Sequence, residues 1–312
     1  MELGKANLEV FAETLLRLAQ ADRNIMVVTS DSRGSGKLVP FAKALPAQIV
    51  EVGIAEQTLV GMAAGLAAAG KQVYAVSPAC FLTARGLEQI KNDVAYSDNR
   101  VKVIGISAGV SYGALGSTHH SLHDYAALQA INNIDIVAPA DNFETRAAIA
   151  AALDHPRPLY IRFGKQAMAH LHDAATDFKI GKAISLRTGT DLTFIAIGEP
   201  VARAVQAAHL LAEQGIAAGV ISMHTLKPLD EEAILHAAHH ARAIITVEEH
   251  SVYGGLGSTV ATLLMQRRVY RPFAIVGIPD EYTVTGSQNE IFAHYGITAE
   301  GLAQRATALL AA

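Results

Sequence analysis

The 312-residue sequence contains a single cysteine, Cys80, which excludes an internal disulfide and a cysteine-built metal cluster. It is also poor in charge: 17% of its residues are Asp, Glu, Lys or Arg, and the formal net charge is −4. So balanced a chain offers no basic face to nucleic acid or to an anionic membrane. It lacks any apolar run of about 18 residues, so no membrane-spanning helix is expected. The opening MELGKANLEVFAETLLRLAQ carries Glu2, Glu9 and Glu13 and no small-residue cleavage site. With apolar residues at Val10, Phe11, Leu15 and Leu18, it reads as an amphipathic helix rather than a secretory signal. A soluble, cytoplasmic protein is the expectation. Thirteen histidines raise the question of metal, yet H-E-x-x-H and C-x-x-C are both missing, so no metal ligand set is expected.

What is present is apolar and alternating. Hydrophobic residues make up 51% of the chain, enough to bury sizeable cores, and the length suits two domains. IMVVTS (25–30), IVEVGI (49–54), QVYAVS (72–77), VKVIGIS (101–107), IDIVAPA (134–140) and LYIRF (159–163) read as buried strands. Helices are expected between them at 55–69, 83–96 and 142–153. Continuous β-rich runs imply strands covered on both faces, hence a largely parallel sheet in an α/β fold. The pattern weakens over about 165–190, which reads as a linker. A second block follows, with strands at 192–198, 217–223, 243–249 and 273–278 and helices at 200–214, 230–241, 256–267 and 298–311. Two open α/β domains are therefore expected, over 1–178 and 179–312.

Ligands of open parallel sheets bind beyond the carboxyl ends of the strands. Four turns fall there. TSDSRGSGK (29–37) lacks the spacing of a phosphate-binding loop and reads as an ordinary turn. EVGIAEQ (51–57) places Glu56 where the chain leaves the sheet, an unusual site for a carboxylate. The helix after it spaces Gly61 and Gly65 four apart, which suits either packing on its own sheet or contact with another subunit. GSTHHSLHD (116–124) brings three histidines and an aspartate into nine residues, which suits proton transfer or hydroxyl binding better than metal, or else a polar loop capping the next helix. Farther on, HSVYGGLGS (250–258) is either an anion site at a helix N-terminus or a structural glycine turn.

Taken together, VEVGIAEQTLVGMAAGLAAAGKQVY, FLTARGLEQIKNDV, GSTHHSLHDYAALQAINNIDIVAPAD and PRPLYIRFGK resemble the transketolase family. ISMHTLKPLD and VEEHSVYGGLGS resemble its C-terminal domain. The resemblance covers nearly the whole chain but only the later half of a full-length transketolase. It implies a pyrimidine-binding domain over 1–178, a C-terminal-like domain over 179–312, and transfer of a two-carbon ketol unit between sugar phosphates with thiamine diphosphate and Mg²⁺.

The resemblance also implies roles. Glu56 would contact N1′ of the cofactor's aminopyrimidine, and a low-dielectric setting would favour its acid form. Ile54, Phe81, Arg85 and Gln89 would complete the cofactor wall, with Arg85 and Gln89 one turn apart on one helix and core packing as the rival reading of Phe81. His119 would face the substrate's first hydroxyls and assist proton movement. His120, Asp31 and Ser35 would lie at the substrate, and Arg162 would grip its phosphate.

Two departures qualify the match. The G-D-G run with a later Asn that binds the diphosphate is absent, along with the domain that would carry it. Mg²⁺ and diphosphate would then be held by a partner, an N-terminal-half transketolase subunit in an α₂β₂ assembly. Secondly, Leu115 stands four positions before His119, where relatives carry an acidic residue, and the upstream histidine is missing near Ser107. A leucine cannot accept a hydrogen bond from a donor hydroxyl. The expectation is an unusual donor, such as the branched ketose apulose 4-phosphate. The alternatives are the β subunit of a 2-oxo acid dehydrogenase E1 component and a noncatalytic regulatory or scaffold paralogue; deoxyxylulose-phosphate synthase shares GIAEQ but is normally one long chain.

Overall fold

The computed structural model describes residues 1–173 and 176–312. In chain order its first half contains β1 (Leu3–Ala6), α1 (Asn7–Ala21), β2 (Ile25–Thr29), α2 (Val39–Ala44), β3 (Ile49–Glu51), α3 (Glu56–Ala68), β4 (Gln72–Pro78), α4 (Ala79–Arg85), α5 (Leu87–Gln89), β5 (Lys102–Ile106), α6 (Asp124–Gln129), β6 (Asp135–Val137), α7 (Asn142–Ala151), β7 (Leu159–Phe163) and β8 (Ala167–Ala169). The second contains β9 (Ile184–Arg187), β10 (Leu192–Ala196), α8 (Pro200–Glu213), β11 (Ala218–Ser222), β12 (Thr225–Lys227), α9 (Glu231–His240), β13 (Ala243–Ser251), α10 (Leu256–Gln266), β14 (Phe273–Ile278), α11 (Gln288–His294) and α12 (Ala299–Ala311). Among the described residues no helix is long and apolar enough to cross a membrane.

The first sheet runs β12-β6-β7-β5-β4-β2-β3 and is parallel except for β12. The second runs β14-β13-β10-β11-β9 and is parallel except for β9. This is the α/β fold with largely parallel sheets that continuous apolar strands dictate. Every residue of β5 and of β10 is buried, as strands covered on both faces must be. α1 lays Leu8, Phe11, Leu15 and Ala19 on the first sheet, one buried stripe at helical spacing. One core cluster runs from Val28 and Leu59 through Ile195 and Ile221 to Leu256, so apolar packing is continuous between the two sheets.

Several expectations need correction. The stretch 49–54 is no buried strand: β3 is three residues long, at the sheet edge, with Glu51 exposed. The helix expected over 83–96 starts at Ala79, breaks at Gly86, and continues as a π-helical turn over Ile90–Tyr96. A Cβ on Gly86 would lie 2.9 Å from the Leu82 carbonyl and 3.1 Å from Val60 Cγ2, so close packing on α3 demands glycine there. The span 165–190 is not simply a linker. It supplies β8, which pairs with β1, and β9, which edges the second sheet; Ala174 and Ala175 within it lie outside the described residues. α11, capped reciprocally by Ser287 and Glu290, was not anticipated. Finally, β12 leaves the second half of the chain to pair with β6 in the first sheet. The division at 178/179 therefore stands as a proposal for the two units, with β12 crossing it.

Candidate active site

The carboxyl ends of β2, β3, β4 and β5 open on one rim. Beyond β3 the chain turns at Gly53, whose φ of +74° favours glycine, and enters α3 with Glu56 as its first residue. Glu56 is 4% exposed, and the N-terminal end of a helix suits a carboxylate. It is not unpaired. Arg85 donates from Nη1 to both of its oxygens, at 3.0 and 3.2 Å.

From Arg85 a line of contacts crosses the rim. Its guanidinium lies 4.7 Å from the centre of the Phe81 ring. Phe81 meets His119 edge-on at 5.2 Å, and His119 meets Tyr112 edge-on at 5.3 Å. Lys165 Nζ stands over the Tyr112 ring at 4.7 Å and is exposed to solvent. Thr118 Oγ1 lies 2.9 Å from His119 Nδ1. Phe81 is half-buried between a cation and an imidazole. Ile54 projects at the same rim, 73% exposed. The sequence reading missed Tyr112 and Lys165, although Lys165 closes the quoted run PRPLYIRFGK and Tyr112 lies in the same turn as His119.

The loop carrying His119 (107–123) is clamped from the second half of the chain. A Cβ on Gly113 would lie 2.5 Å from the Gly286 carbonyl, and its φ is +52°; close approach and backbone shape both require glycine. His120 is 4% exposed and uses both ring nitrogens. Its Nε2 is 3.0 Å from the Gly113 carbonyl, which only accepts, so Nε2 donates. Nδ1 then accepts from the Thr283 hydroxyl at 2.9 Å. Burial lowers the pKa of His120, consistent with this neutral form. The expectation of His120 at the substrate is therefore corrected: it ties the loop down.

Arg162 is corrected in the same way. It is 6% exposed and fully engaged: Nη1 donates to both Asp124 oxygens at 2.9 and 3.0 Å, and Nη2 to the Glu249 carbonyl at 2.9 Å. Its guanidinium covers the Tyr125 ring at 4.4 Å. A cation so enclosed is held by Asp124 and Glu249 within the chain and presents little of itself to a substrate phosphate. The exposed cation on this side of His119 is Lys165.

Smaller corrections follow. Ser35 donates its hydroxyl to the Ser32 carbonyl at 3.2 Å, within its own turn. Asp31 is exposed at φ +50° and donates its backbone N–H to Glu51 Oε1 at 2.6 Å. Gln89 does not share a helix with Arg85, because Gly86 separates α4 from α5; its Oε1 is buried without a partner. Ser107, near the missing histidine, has φ +52° and is fully buried. The HSVYGGLGS turn is no anion site: Glu248 fills the N-terminus of α10, accepting from Leu256 N at 2.7 Å and Gly257 N at 2.8 Å.

Chemically, the rim offers a buried carboxylate beside an aromatic ring and an exposed apolar side chain. That set fits the ring of an aminopyrimidine. Among the described residues no group of three or more His, Cys, Asp or Glu is placed to hold a metal ion.

Residues 4–170 match the model of the transketolase pyrimidine binding domain, and residues 181–302 that of the transketolase C-terminal domain. The chain is 52% identical, over 297 residues, to one subunit of an apulose-4-phosphate transketolase of Phocaeicola vulgatus, covering 95% of each chain. It is 35% identical, over 298 residues, to a 6-deoxy-6-sulfo-D-fructose transketolase subunit of a Clostridium species, covering 96% of this chain and 92% of the other. A solved structure described as a split-gene transketolase, inactive β4 tetramer, superposes with a TM-score of 0.88 at 34% identity, covering 99% of both chains.

Proposed function

The chain belongs to the transketolase family, and from that premise we propose that it is the C-terminal subunit of a two-chain transketolase that moves a two-carbon ketol unit from apulose 4-phosphate to an acceptor sugar phosphate. The whole-length match to separately encoded transketolase subunits does not favour the 2-oxo acid dehydrogenase reading. The observation that carries the reaction is the buried Glu56 at the head of α3, joined through Arg85 and Phe81 to His119 on an open rim.

Thiamine diphosphate, when bound, supplies the nucleophilic carbon with which a ketose carbon–carbon bond is broken and remade. The rest is the work of this chain. Glu56 would contact N1′ of the aminopyrimidine and pass a proton there, with Phe81 and Ile54 as its apolar surroundings. Arg85, with a side chain 53% exposed, would be free to release Glu56 to that ring. His119 hydrogen-bonds the donor's hydroxyls and moves a proton at them. Lys165, not Arg162, attracts the substrate phosphate. Leu115, 54% exposed on the same loop, leaves the donor without a carboxylate partner and so suits a donor unlike xylulose 5-phosphate. Mg²⁺ and the cofactor diphosphate are held by an N-terminal-half partner chain in an α₂β₂ assembly, and the cytoplasm is its place of work.

The test is calorimetric titration of thiamine diphosphate with Mg²⁺ into this chain, into a candidate N-terminal-half chain, and into their mixture, followed by turnover of apulose 4-phosphate. Tight binding confined to the mixture, with turnover, supports the proposal. Tight binding by this chain alone would overturn the divided site, and binding without turnover across a broad sugar panel would favour a noncatalytic role.

A further inference from the structure

The His119 loop is anchored at its base by a buried polar group that the reaction described above does not use. The loop closes where Ser121 N–H donates to the Gly109 carbonyl at 2.7 Å, and the next residue, Val110, donates its N–H to Glu249 Oε1 at 2.8 Å. The Glu249 carboxyl lies against this backbone so closely that a Cβ on Gly109 would fall 2.1 Å from its carbon. The same Oε1 accepts from Gln288 Nε2 at 2.8 Å, and that nitrogen also donates to Glu199 Oε2 at 2.7 Å. One amide group thus bridges two carboxyls.

The atoms left over are informative. Glu199 Oε1 and Gln288 Oε1 are both buried and without a partner, although Glu199 as a residue is only half-buried. A proton on Glu199 Oε1, donated to Gln288 Oε1, would serve both at once and complete the two-bond pairing of a carboxylic acid with a primary amide. The charges facing the group agree. Arg162 is the buried cation, 3.7 Å from Glu249 Oε2, but it is already shared with Asp124; Arg203 bonds Asn289 at the surface. Glu248 adds a further buried carboxyl, and burial lowers His250 to about 4, which keeps that imidazole neutral. Tyr125 and Tyr160 stay protonated, because burial raises both. Burial first, and for Glu249 also the neighbouring Glu199, holds both carboxyls above the usual carboxylate range.

We propose that Glu249 is a positioning residue for His119, and that its grip on Val110 depends on a proton carried by Glu199 in an acid–amide pair with Gln288. When Glu199 loses that proton, the pairing with Gln288 Oε1 is gone, and once Glu249 is ionised as well, two carboxylates face one amide and repulsion drives Glu249 off the base of the loop. The catalytic part of this inference rests on the role assigned to His119; the latch itself does not.

The test is hydrogen exchange of the full-length chain at about pH 6.5 and about pH 8.5, corrected for intrinsic amide rates, in wild type, Glu199→Gln and Glu249→Ala. Glutamine at 199 keeps an amide–amide pairing that needs no titratable proton. In wild type, protection of residues 108–121 should fall about tenfold at the higher pH. Glu199→Gln should hold the loop at both values and Glu249→Ala at neither, while β5 and β7 stay protected in all three. A wild-type loop indifferent to pH, a Glu199→Gln loop that opens like wild type, or an undisturbed loop in Glu249→Ala would each overturn the latch. With the partner subunit present, kcat should fall at high pH in step with loop opening and be retained in Glu199→Gln. If exchange behaves as expected and kcat does not follow, the latch stands and the role of His119 falls.

Discussion

Arg85 Nη1 lies 3.0 Å from Oε2 and 3.2 Å from Oε1 of Glu56, so the buried carboxylate at the head of α3 finds its counter-charge within its own chain. Only Glu56 is buried; the side chain of Arg85 is 53% exposed, with its guanidinium over the Phe81 ring. The pair is therefore asymmetric, with a fixed carboxylate and a cation able to leave. Glu56→Gln should leave the melting temperature nearly unchanged, since glutamine preserves the shape. It should lower kcat of the reconstituted two-chain enzyme by about 10²–10⁴-fold, the scale of a lost proton-transferring group. Steady-state kinetics beside a thermal melt checks this; an unimpaired kcat would remove Glu56 from the chemistry.

Arg162 and Lys165 stand three residues apart and should fail in opposite ways. Arg162→Ala strands Asp124 in the interior and should cost about 3–5 kcal/mol of stability, seen as a lowered denaturation midpoint. Lys165→Ala removes an exposed cation and should leave the midpoint alone while raising KM for phosphorylated donors about tenfold. Denaturant titration and Michaelis–Menten curves on both variants decide the matter. A rise in KM only for Arg162→Ala would reverse the two roles.

Leu115 supplies a test of donor choice. Leu115→Asp puts a hydrogen-bond acceptor on the loop that carries His119. It should raise kcat/KM for xylulose 5-phosphate relative to apulose 4-phosphate by about tenfold or more, since a paired hydroxyl replaces an unpaired one. Competition assays with both donors measure the ratio directly, and an unmoved ratio would place donor selection elsewhere.

His172 sets a pH dependence of stability in the segment joining the two sheets. Burial opposes its charge, but Asp141, 2.9 Å from Nδ1, and Glu144, 3.2 Å from Nε2, outweigh burial and raise the imidazole from 6.5 to about 9. A folded-state pKa raised above the unfolded value stabilises fully below about pH 6.5, and the benefit is lost as pH rises through about 9. The difference in melting temperature between wild type and His172→Asn should thus shrink steadily from neutral to alkaline pH. A difference that is constant between about pH 6.5 and pH 10 would show that the imidazole carries no charge in the fold.

Much of this architecture was legible because periodicity is local. The fully apolar run of β5 and the stripe of α1 report burial through the residues themselves. So does the turn from β3 into α3, which places Glu56 at a strand's carboxyl end. The edge position of β3 escaped because an edge strand and a central one have similar composition when short. The break at Gly86 escaped because the close approach there involves Val60 and the Glu56 carbonyl of a different helix as well as the Leu82 carbonyl of its own.

Local residue patterns were enough for the alternation of strands and helices, the parallel sheets, and the turns on which Glu56 and His119 sit. It took the folded chain to choose which member of each similar pair is free. Arg162 and Lys165 share one short run, as do His119 and His120. Arg162 is committed by Asp124 and Glu249, and His120 by Thr283, partners 38, 87 and 163 residues away. Side-chain periodicity records how a residue faces its own element. It holds no record of which distant carboxylate, carbonyl or hydroxyl will arrive opposite it, and that arrival buries one cation and leaves its neighbour in solvent.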